Sequence, residues 1–404
     1  MNSSTDGKSF PIPAGFSFSA VTAGIKASGS PDLALAVADS GASAAAMFTR
    51  NRVVAAPLVV GRSSLRSSRG KIRAVVVNSG NANCATGEPG LKAAQDVCRQ
   101  TAKILGVRAR EVFPSSTGII GVPLPVEKII NELPALIQAR EESEAAATRF
   151  ARAIMTTDTR MKTAGAQFET RHGRVTLFGV AKGSGMIHPQ LATILVYLFT
   201  DVSASAPDLR RLLRGVCDTT FNCMSVDGDT STNDTVLLLA SGKSGVKLAA
   251  SGVRAAFGKV LAEVCQSLAK QVVADGEGVQ HLIHLTVEQA RSRDEALRVA
   301  KAIAHSALVK TAWAGADPNW GRILAAVGRS GVAVDPARVS IAIAEQTVCR
   351  KGQAAAFEES RAHADLSQPE CEVRVSLGRG RASVRFLTTD LTAEYVRINA
   401  DYST

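Results

Sequence analysis

The chain has 404 residues, of which 46% are hydrophobic and 21% charged, a composition typical of a globular protein large enough for two domains. Its formal net charge is +11, yet aromatic residues make up only 4% and do not interleave with the basic ones, which argues against a nucleic-acid partner. No apolar run reaches the roughly 18 residues of a membrane span, and no secretory leader is visible at the N-terminus. We therefore expect a cytoplasmic protein without a membrane partner.

The cysteine and histidine residues show no spacing that would indicate a metal site or a disulfide framework. The seven cysteines are odd in number and widely spaced, and no CxxC motif occurs. His281 and His284 form an isolated pair without a nearby third ligand, so packing or surface exposure explains them better than metal binding. The sequence predicts no metal, and free thiols in a reducing compartment.

The first half of the chain mixes predicted strands and helices. Short strands are predicted within "GFSFSAVTAGIK" and "DLALAVADSGASAAAMFT", and a buried strand is predicted over 75–77, with a polar loop from Asn78 onward. Helical spacing follows in "GEPGLKAAQDVCRQTAKILG", where Gly106 is suited to end the helix, and again in "VEKIINELPALIQA" and "EESEAAATRFARAIMTT". A strand ending in a polar turn is expected in "VFPSSTGIIGVPLP", and another strand in "RVTLFGVAKGSG".

The second half continues in the same way. After an apolar strand that ends at Phe199, we expect a helix in "APDLRRLLRGVCDTTF" and a strand at the end of "SVDGDTSTNDTVLLLASG". Long amphipathic helices are predicted over 252–273 and 286–304. The alternation in "CEVRVSLGRGRASVRFLTTDLT" predicts a hairpin with its turn near Gly378. This mixture indicates an α/β (α+β) fold in two or more layers.

Two polar motifs have a functional and a purely structural interpretation. The "SGKS" segment over 241–244 resembles the end of a phosphate-binding loop, but that loop needs a glycine where Leu237 stands, so a strand-to-turn junction is favoured. "DGDTSTNDT", Asp227 to Thr235, contains three acids that could bind a cation. Asx and Ser/Thr turns produce such clusters without any ion, and on residue types alone this second interpretation is favoured.

The stretch "KGSGMIHPQLATILVYLFTD" contains a candidate nucleophile, Thr193, just inside an apolar strand. A threonine hydroxyl needs an adjacent base to be nucleophilic. Cleavage of the Ala192–Thr193 bond would give Thr193 a free α-amine, whose pKa of about 7.7–8.0 suits that task. Gly183 and Gly185 would allow the unusual backbone that self-cleavage requires. On the residues alone, a threonine that simply begins a strand is the commoner arrangement.

Several segments, taken together, resemble one enzyme family along nearly the whole chain. They are "VVVNSGNANCATG", "PSSTGIIG", "MTTDT", "KGSGMIHPQLATILVYLFTD", "VDGDTSTNDT", "ADGEG", "GADPNWGRI" and "NADYST", in this order. These blocks resemble those of the ornithine acetyltransferase family, the glutamate N-acetyltransferases of arginine biosynthesis. The resemblance implies a self-cleaving, DmpA-like α/β fold with an N-terminal nucleophile. It also implies two chains after cleavage, 1–192 and 193–404, which stay together as an α2β2 heterotetramer.

The resemblance also implies roles for individual residues. Thr193 matches the nucleophile, Ala192 and Thr193 flank the cleaved bond, and Thr117 and Gly118 match an oxyanion hole. The implied substrate-binding residues are Thr157 (chosen over Thr156), Lys182, Thr193, Glu277, Asn399 and Thr404. No cofactor is implied.

The implied reaction moves an acetyl group from N-acetylornithine to glutamate through an acetyl-threonine ester, with ping-pong kinetics. Whether acetyl-CoA also serves as donor stays open, because no motif marks its use. Val279 and Gln280 depart from the family pattern beside Glu277, and His188 departs from it near the cleavage site. Because of Val279 and Gln280, a second hypothesis stays open, a related self-cleaving amidohydrolase or aminopeptidase that gives the acyl group to water. A non-catalytic basic binding protein on the same fold is the third hypothesis.

Overall fold

The computed structural model describes residues 9–187 and 194–401, which form two β-sheets surrounded by helices. The expected α/β class is therefore confirmed. The strands of the first sheet run in the order β4-β3-β2-β8-β7-β6-β5, and β1 pairs with β2 outside this path. Their bounds are β1 (Phe16–Val21), β2 (Leu33–Phe48), β3 (Lys71–Asn81), β4 (Val112–Ile119), β5 (Lys162–Thr170), β6 (Gly173–Lys182), β7 (Leu195–Thr200) and β8 (Thr235–Ala240).

The second sheet contains the strands that follow in the chain, in the order β12-β11-β10-β13-β9-β14. Their bounds are β9 (Leu282–Ala290), β10 (Ser340–Ile343), β11 (Gln346–Arg350), β12 (Gln353–Ala354), β13 (Glu370–Ser376) and β14 (Ala382–Thr389). The helices are α1 (Ala56–Ser67), α2 (Gly87–Leu105), α3 (Val126–Gln138), α4 (Glu144–Ala153), α5 (Ala206–Thr219), α6 (Val253–Ala274), α7 (Arg293–Ala304), α8 (Ala307–Ala314), α9 (Trp320–Gly328), α10 (Glu359–Leu366) and α11 (Ala393–Asp401).

Strand β7 lies near the centre of the first sheet and is buried on both faces. Val196 and Leu198 point into the core formed with α5 and α6. Tyr197 and Phe199 point the other way, into an aromatic cluster with Phe150 of α4. Because successive side chains of a strand face opposite sides, a strand covered on both faces must be apolar throughout. This explains the continuous apolar run in the sequence.

The chain between β6 and β7 includes residues 188–193, which lie outside the described residues. The two strands are antiparallel neighbours, with Lys182 opposite Leu195. Strands from both sides of the predicted cleavage bond thus belong to one continuous sheet, and β7 also pairs with β8 in parallel. Of the predicted site residues, Lys182 ends β6, and Thr117 and Gly118 lie near the end of β4 in the same sheet.

Two sequence predictions are confirmed closely. Helix α2 ends at Leu105, and Gly106 follows with a φ of 66°, the left-handed conformation expected of a glycine that ends a helix. The helix expected over 252–273 is α6, Val253–Ala274. All seven cysteines are free and buried.

Three predictions of local structure are wrong. The expected helix over 286–304 is strand β9 followed by α7, because Ser292 accepts a hydrogen bond from the backbone N–H of Glu295 and so begins the helix late. Strands β13 and β14 do not form a hairpin, because β9 lies between them, parallel to one and antiparallel to the other. The polar residues after Val77 are not loop at first, since β3 continues to Asn81 and pairs with β4.

None of the helices within residues 9–187 and 194–401 has the length and apolar character needed to cross a membrane.

Candidate functional site

Lys182, the last residue of β6, connects two of the sequence motifs. Its side chain is buried, and Nζ donates hydrogen bonds to Oγ1 of Thr156 at 2.7 Å and to Oγ1 of Thr117 at 3.2 Å. Nζ also lies 3.8 Å from Oδ2 of Asp158. The structure therefore brings together "SSTGIIG", "MTTDT" and the start of "KGSGMIHP", which are far apart in the sequence.

A buried network of charges supports Lys182. Lys162 Nζ lies 2.6 Å from Oδ1 of Asp158 and 2.6 Å from Oδ2 of Asp275. Asp158 also accepts a hydrogen bond from the backbone N–H of Gly183 at 2.6 Å. Asp275 accepts hydrogen bonds from the backbone N–H groups of Thr159 and Arg160 at 3.0 and 3.2 Å. The two lysines and two aspartates balance in formal charge, and each charge has a nearby opposite one.

The pKa shifts in this network follow from burial and pairing. Burial lowers the pKa of Lys182, because it disfavours the ammonium form, and the nearby Asp158 charge only partly restores it. Burial alone would raise the pKa of Asp158. The positive charges of Lys182 and Lys162, with the hydrogen bonds to the carboxylate, outweigh that effect and hold this pKa well below its usual range. Asp158 therefore keeps a fixed negative charge beside Lys182.

Thr117 and Gly118 lie at the end of β4, against the end of β3. Gly118 has a φ of 134°, and a Cβ atom there would lie 2.3 Å from the carbonyl carbon of Gly80. The neighbouring carbonyl of Ser116 accepts a hydrogen bond from Nδ2 of Asn233 at 2.8 Å. The close approach of the two backbones requires glycine at 118.

The two ends of "DGDTSTNDT" hold the chain on both sides of residues 188–193. Asp227 accepts hydrogen bonds from the backbone N–H groups of Met186 at 2.6 Å and Ile187 at 2.9 Å. Asp234 accepts one from the N–H of Ile194 at 3.1 Å. Burial raises the pKa of Asp227 to about 6 and that of Asp234 well above its ordinary value. Part of the motif is thus a turn, in which the N–H of Asp229 donates to Asp227. The same motif also binds the backbone on both sides of residues 188–193.

A cavity of about 240 Å³ lies between the end of α6, the start of β5 and α11. Its lining includes Thr157, Ser184 and Glu277. The Glu277 carboxylate accepts a hydrogen bond from Nδ2 of Asn399 at 3.0 Å, and it lies so close to Gly185 that a Cβ there would be 2.5 Å from Oε2. Gly185 thus provides space for Glu277. Gly183 needs glycine for another reason, since its φ of 151° is a backbone conformation that other residues rarely adopt.

The described residues thus place the predicted site residues in two adjoining groups. Thr117, Gly118 and Lys182 belong to the first, and the cavity group comprises Thr157, Glu277 and Asn399. Ala192, Thr193, Thr404 and the departure at His188 lie outside the described residues. No group of three or more His, Cys, Asp or Glu side chains within residues 9–187 and 194–401 is arranged to hold a metal ion.

Several residues that support this site are not among the residues predicted from the sequence. Thr156 contacts Lys182 directly, whereas the predicted Thr157 lines the cavity. Asp158 stands within the quoted "MTTDT", so its position beside two threonines was a usable signal. Asp275 stands within the quoted "ADGEG" and offered a similar signal. Lys162 gave none, because it lies outside the quoted motifs and meets Asp275, 113 residues away, only in the folded chain.

The comparisons with known proteins point to the same family over nearly the whole length of the chain. The model of the ArgJ family matches residues 17–404. The arginine biosynthesis bifunctional protein ArgJ of Methylococcus capsulatus is 46% identical over 397 residues, which cover 97% of this chain and 96% of that protein. The ArgJ protein of Geobacter sulfurreducens is 44% identical over 400 residues, covering 96% and 99%. The chain belongs to the ArgJ family. It is an acyltransferase of arginine biosynthesis, and the resemblance to the ornithine acetyltransferases is confirmed.

Two solved structures are similar to parts of this ArgJ-family chain. The crystal structure of ArgJ from Bacillus halodurans is 40% identical with a TM-score of 0.48, covering 50% of this chain and 96% of that one. The ornithine acetyltransferase of Mycobacterium tuberculosis, complexed with ornithine, is 36% identical with a TM-score of 0.41, covering 45% and 94%.

The first prediction concerns the close contact at Gly118. We expect Gly118→Ala to lower the free energy of unfolding by at least about 2 kcal/mol more than Gly121→Ala. Both glycines have positive φ, but no heavy atom lies within 4 Å of a Cβ at Gly121, so the control carries the backbone strain without the clash. Denaturant unfolding of both variants measures the difference. Equal losses would show that the β3–β4 contact does not require glycine.

The second prediction concerns acid stability. The folded pKa of Asp158 is depressed, so its stabilising contribution is present above the unfolded pKa of about 3.9 and is lost as the pH falls below that value. We expect the unfolding free energy of the wild type to fall more steeply below about pH 4 than that of Asp158→Asn. At neutral pH this variant should lose about 3–5 kcal/mol, because it leaves buried lysine charge uncompensated.

The matched control is Glu169→Gln, which breaks an ion pair whose two side chains are each 65% exposed. It should leave both the neutral-pH stability and the acid dependence within about 0.5 kcal/mol of the wild type. An Asp158→Asn variant with the acid dependence of the wild type would contradict the assignment of that charge to Asp158.

Proposed function

We propose that this protein is a glutamate N-acetyltransferase that uses N-acetylornithine as donor, after cleaving itself between Ala192 and Thr193. The proposal is carried by two aspartates that hold the backbone on either side of the predicted cleavage segment. Asp227 fixes residues 186 and 187, and Asp234 fixes residue 194. A bond that must break at one position needs a backbone fixed on both sides, and these two carboxylates supply that restraint.

The nucleophile in this mechanism is the Thr193 hydroxyl, and its base is the α-amine that cleavage frees. The intact peptide nitrogen cannot serve as base, because its lone pair is delocalised into the carbonyl. The hydroxyl oxygen attacks the acetyl carbonyl of N-acetylornithine, and the departing ornithine nitrogen takes up the proton. The amine of glutamate then attacks the acetyl-Thr193 ester, which releases N-acetylglutamate and restores the hydroxyl.

Thr117 and Gly118 form the oxyanion hole in this proposal. Lys182 donates a hydrogen bond to Oγ1 of Thr117, so the proton of that hydroxyl is free to point at another acceptor. A preoriented donor of this kind contributes about 3–4 kcal/mol to the stabilisation of a developing oxyanion. The buried charge network therefore acts on the reaction through Lys182 and Thr117.

The site must accept two amino acids that share an α-carboxylate but differ in side-chain charge. Lys182 Nζ donates to two hydroxyls and keeps a third N–H, which suits a substrate carboxylate. Glu277 lines the cavity and suits the ornithine ammonium, with Asn399 orienting its carboxylate. Thr157 lines the same cavity, and Thr404 completes the proposed substrate-binding set. In this proposal the cleaved chains assemble as α2β2 in the cytoplasm, and acetyl-CoA is a second donor to be assayed.

The competing function is transfer of the acyl group to water. It rests on Val279, which departs from the family pattern and lines the cavity beside Glu277. The two functions differ in their products, because an amidohydrolase releases acetate where the transferase makes N-acetylglutamate.

The third prediction tests the cleavage and the covalent intermediate. Intact mass spectra of the purified protein should show two chains that break between Ala192 and Thr193, while Thr193→Ala stays whole. Incubation with N-acetylornithine should add one acetyl group to the chain that begins with Thr193. A wild type that remains a single chain has no α-amine base at Thr193, and the mechanism is then wrong although the fold and the family stand.

The fourth prediction tests the role of Glu277 without changing that residue. The methyl group of Gly185→Ala would displace the Glu277 carboxylate, whose flexible end can move at little cost in stability. We expect kcat/KM for N-acetylornithine to fall at least about tenfold, or about 1.4 kcal/mol, in the fully cleaved protein. Gly215→Ala, with open space around its Cβ, should match the wild type. Unchanged kcat/KM in both variants would remove Glu277 from ornithine recognition.

A further inference from the structure

A second cleft, with a volume of about 870 Å³, lies at the end of β3 remote from the candidate site. Five basic residues line it together with one acid, Glu111; the basic residues are Arg69, Lys71, Arg73, Arg108 and Arg110. At about 3.3 Å per strand residue, Arg73 and Gly80 are about 23 Å apart along β3. The cleft is therefore separate from the site around Lys182.

Most of the positive charge in this cleft is uncompensated. Glu111 is engaged by Arg108, whose Nη2 and Nε lie 2.6 and 3.0 Å from Oε1. The other four basic side chains form no ion pair within the part of the chain that the structure describes. The Nε atom of Arg73 is buried and has no hydrogen-bond acceptor among the described residues. A buried donor without an acceptor is destabilising, and a bound acceptor would recover that loss.

The helix ends beside the cleft do not account for this charge. Helices α1 and α2 both end here, at Ser67 and Leu105. Each C-terminus carries the equivalent of about half a negative charge, so together they offset about one of the four positive charges. The remaining surplus lies in a concave surface, where like charges focus the field and attract an anion.

A glycine in the backbone beside the cleft makes room for one of its arginines. Gly41 has a φ of 85° at a bulge in β2, and a Cβ there would lie 3.2 Å from Cδ of Arg73. Glycine at this position lets the Arg73 side chain cross the strand toward the cleft. Guanidinium groups match phosphate oxygens with paired hydrogen bonds.

We propose that this cleft binds a phosphorylated small molecule of about nucleotide size. Its volume falls within the range of about 300–1,000 Å³ typical of small-molecule sites. The surplus charge suits two or three phosphate groups. No aromatic side chain on which a base could stack lines the cleft, so recognition rests on the phosphate groups rather than on a base.

The fifth prediction concerns binding of ATP and of inorganic tripolyphosphate to the full-length protein. Each ligand is titrated without Mg²⁺ at about 150 mM salt, and binding is measured by calorimetry. We expect saturable binding of one ligand per chain, weakened at least tenfold in the double variant Arg73→Gln/Arg110→Gln. The control Arg210→Gln/Arg214→Gln removes the same charge from exposed positions on α5 and should bind as the wild type does. Binding of both ligands supports a site that recognises the phosphate groups, and tighter binding of ATP adds a contact with the nucleoside. Binding of tripolyphosphate alone assigns the site to a phosphorylated ligand without a nucleoside.

Three results would overturn the proposal. The wild type fails to bind either ligand, the control loses as much affinity as the double variant, or only a single-stranded oligonucleotide binds. The exposed Arg110→Gln variant serves as a second test if the change at Arg73 harms folding. Arg73→Lys keeps the charge but loses the paired donors, so it should bind with an affinity between those of the wild type and the double variant. The measurement needs no acetyl transfer, so its outcome is independent of the proposed activity.

Discussion

Two buried lysines with two buried aspartates hold the site together. Lys162 joins Asp158 to Asp275, which fixes the start of β5 to the end of α6, and Asp158 in turn faces Lys182 at the end of β6. Burying four charges carries a large desolvation cost, and it is tolerable only because each charge has close partners and further hydrogen bonds. Removing one member leaves another unpaired, so the loops that converge on Lys182 depend on the complete network.

This network also separates the functions of residues that are similar in type. Lys162 is committed to two carboxylates, whereas Lys182 contacts hydroxyls and lies farther from its acid. Lys182 therefore has hydrogen-bonding capacity left for a ligand. Glu277 stands apart from the network, faces the cavity and is held by an amide. One small region thus holds charges that are engaged with one another and two others, Lys182 and Glu277, which contact substrate in the proposed function.

Local sequence patterns predicted those helices and strands whose bounds depend on neighbouring residues in the chain. Gly106 ended α2 as expected, and the apolar run after residue 193 became a strand buried on both faces. Pairing between distant segments could not be predicted in this way. The alternation around Gly378 indicated two strands correctly but not that β9, from about 90 residues earlier in the chain, lies between them. The motifs supplied Thr117 and Lys182, whereas Lys162 lies outside every motif and its partner Asp275 is 113 residues away.

The position of β7 has a consequence for the proposed cleavage before Thr193, because it determines whether cleavage or folding comes first. A chain broken before β7 would have β6 on one piece and β7 on the other, joined by the hydrogen bonds of the sheet interior. Either piece alone would expose a long apolar edge with unpaired backbone groups, the kind of surface that drives aggregation. The two halves are thus not independent folding units. In the proposed function, cleavage must therefore follow folding, and the two pieces would separate only by global unfolding.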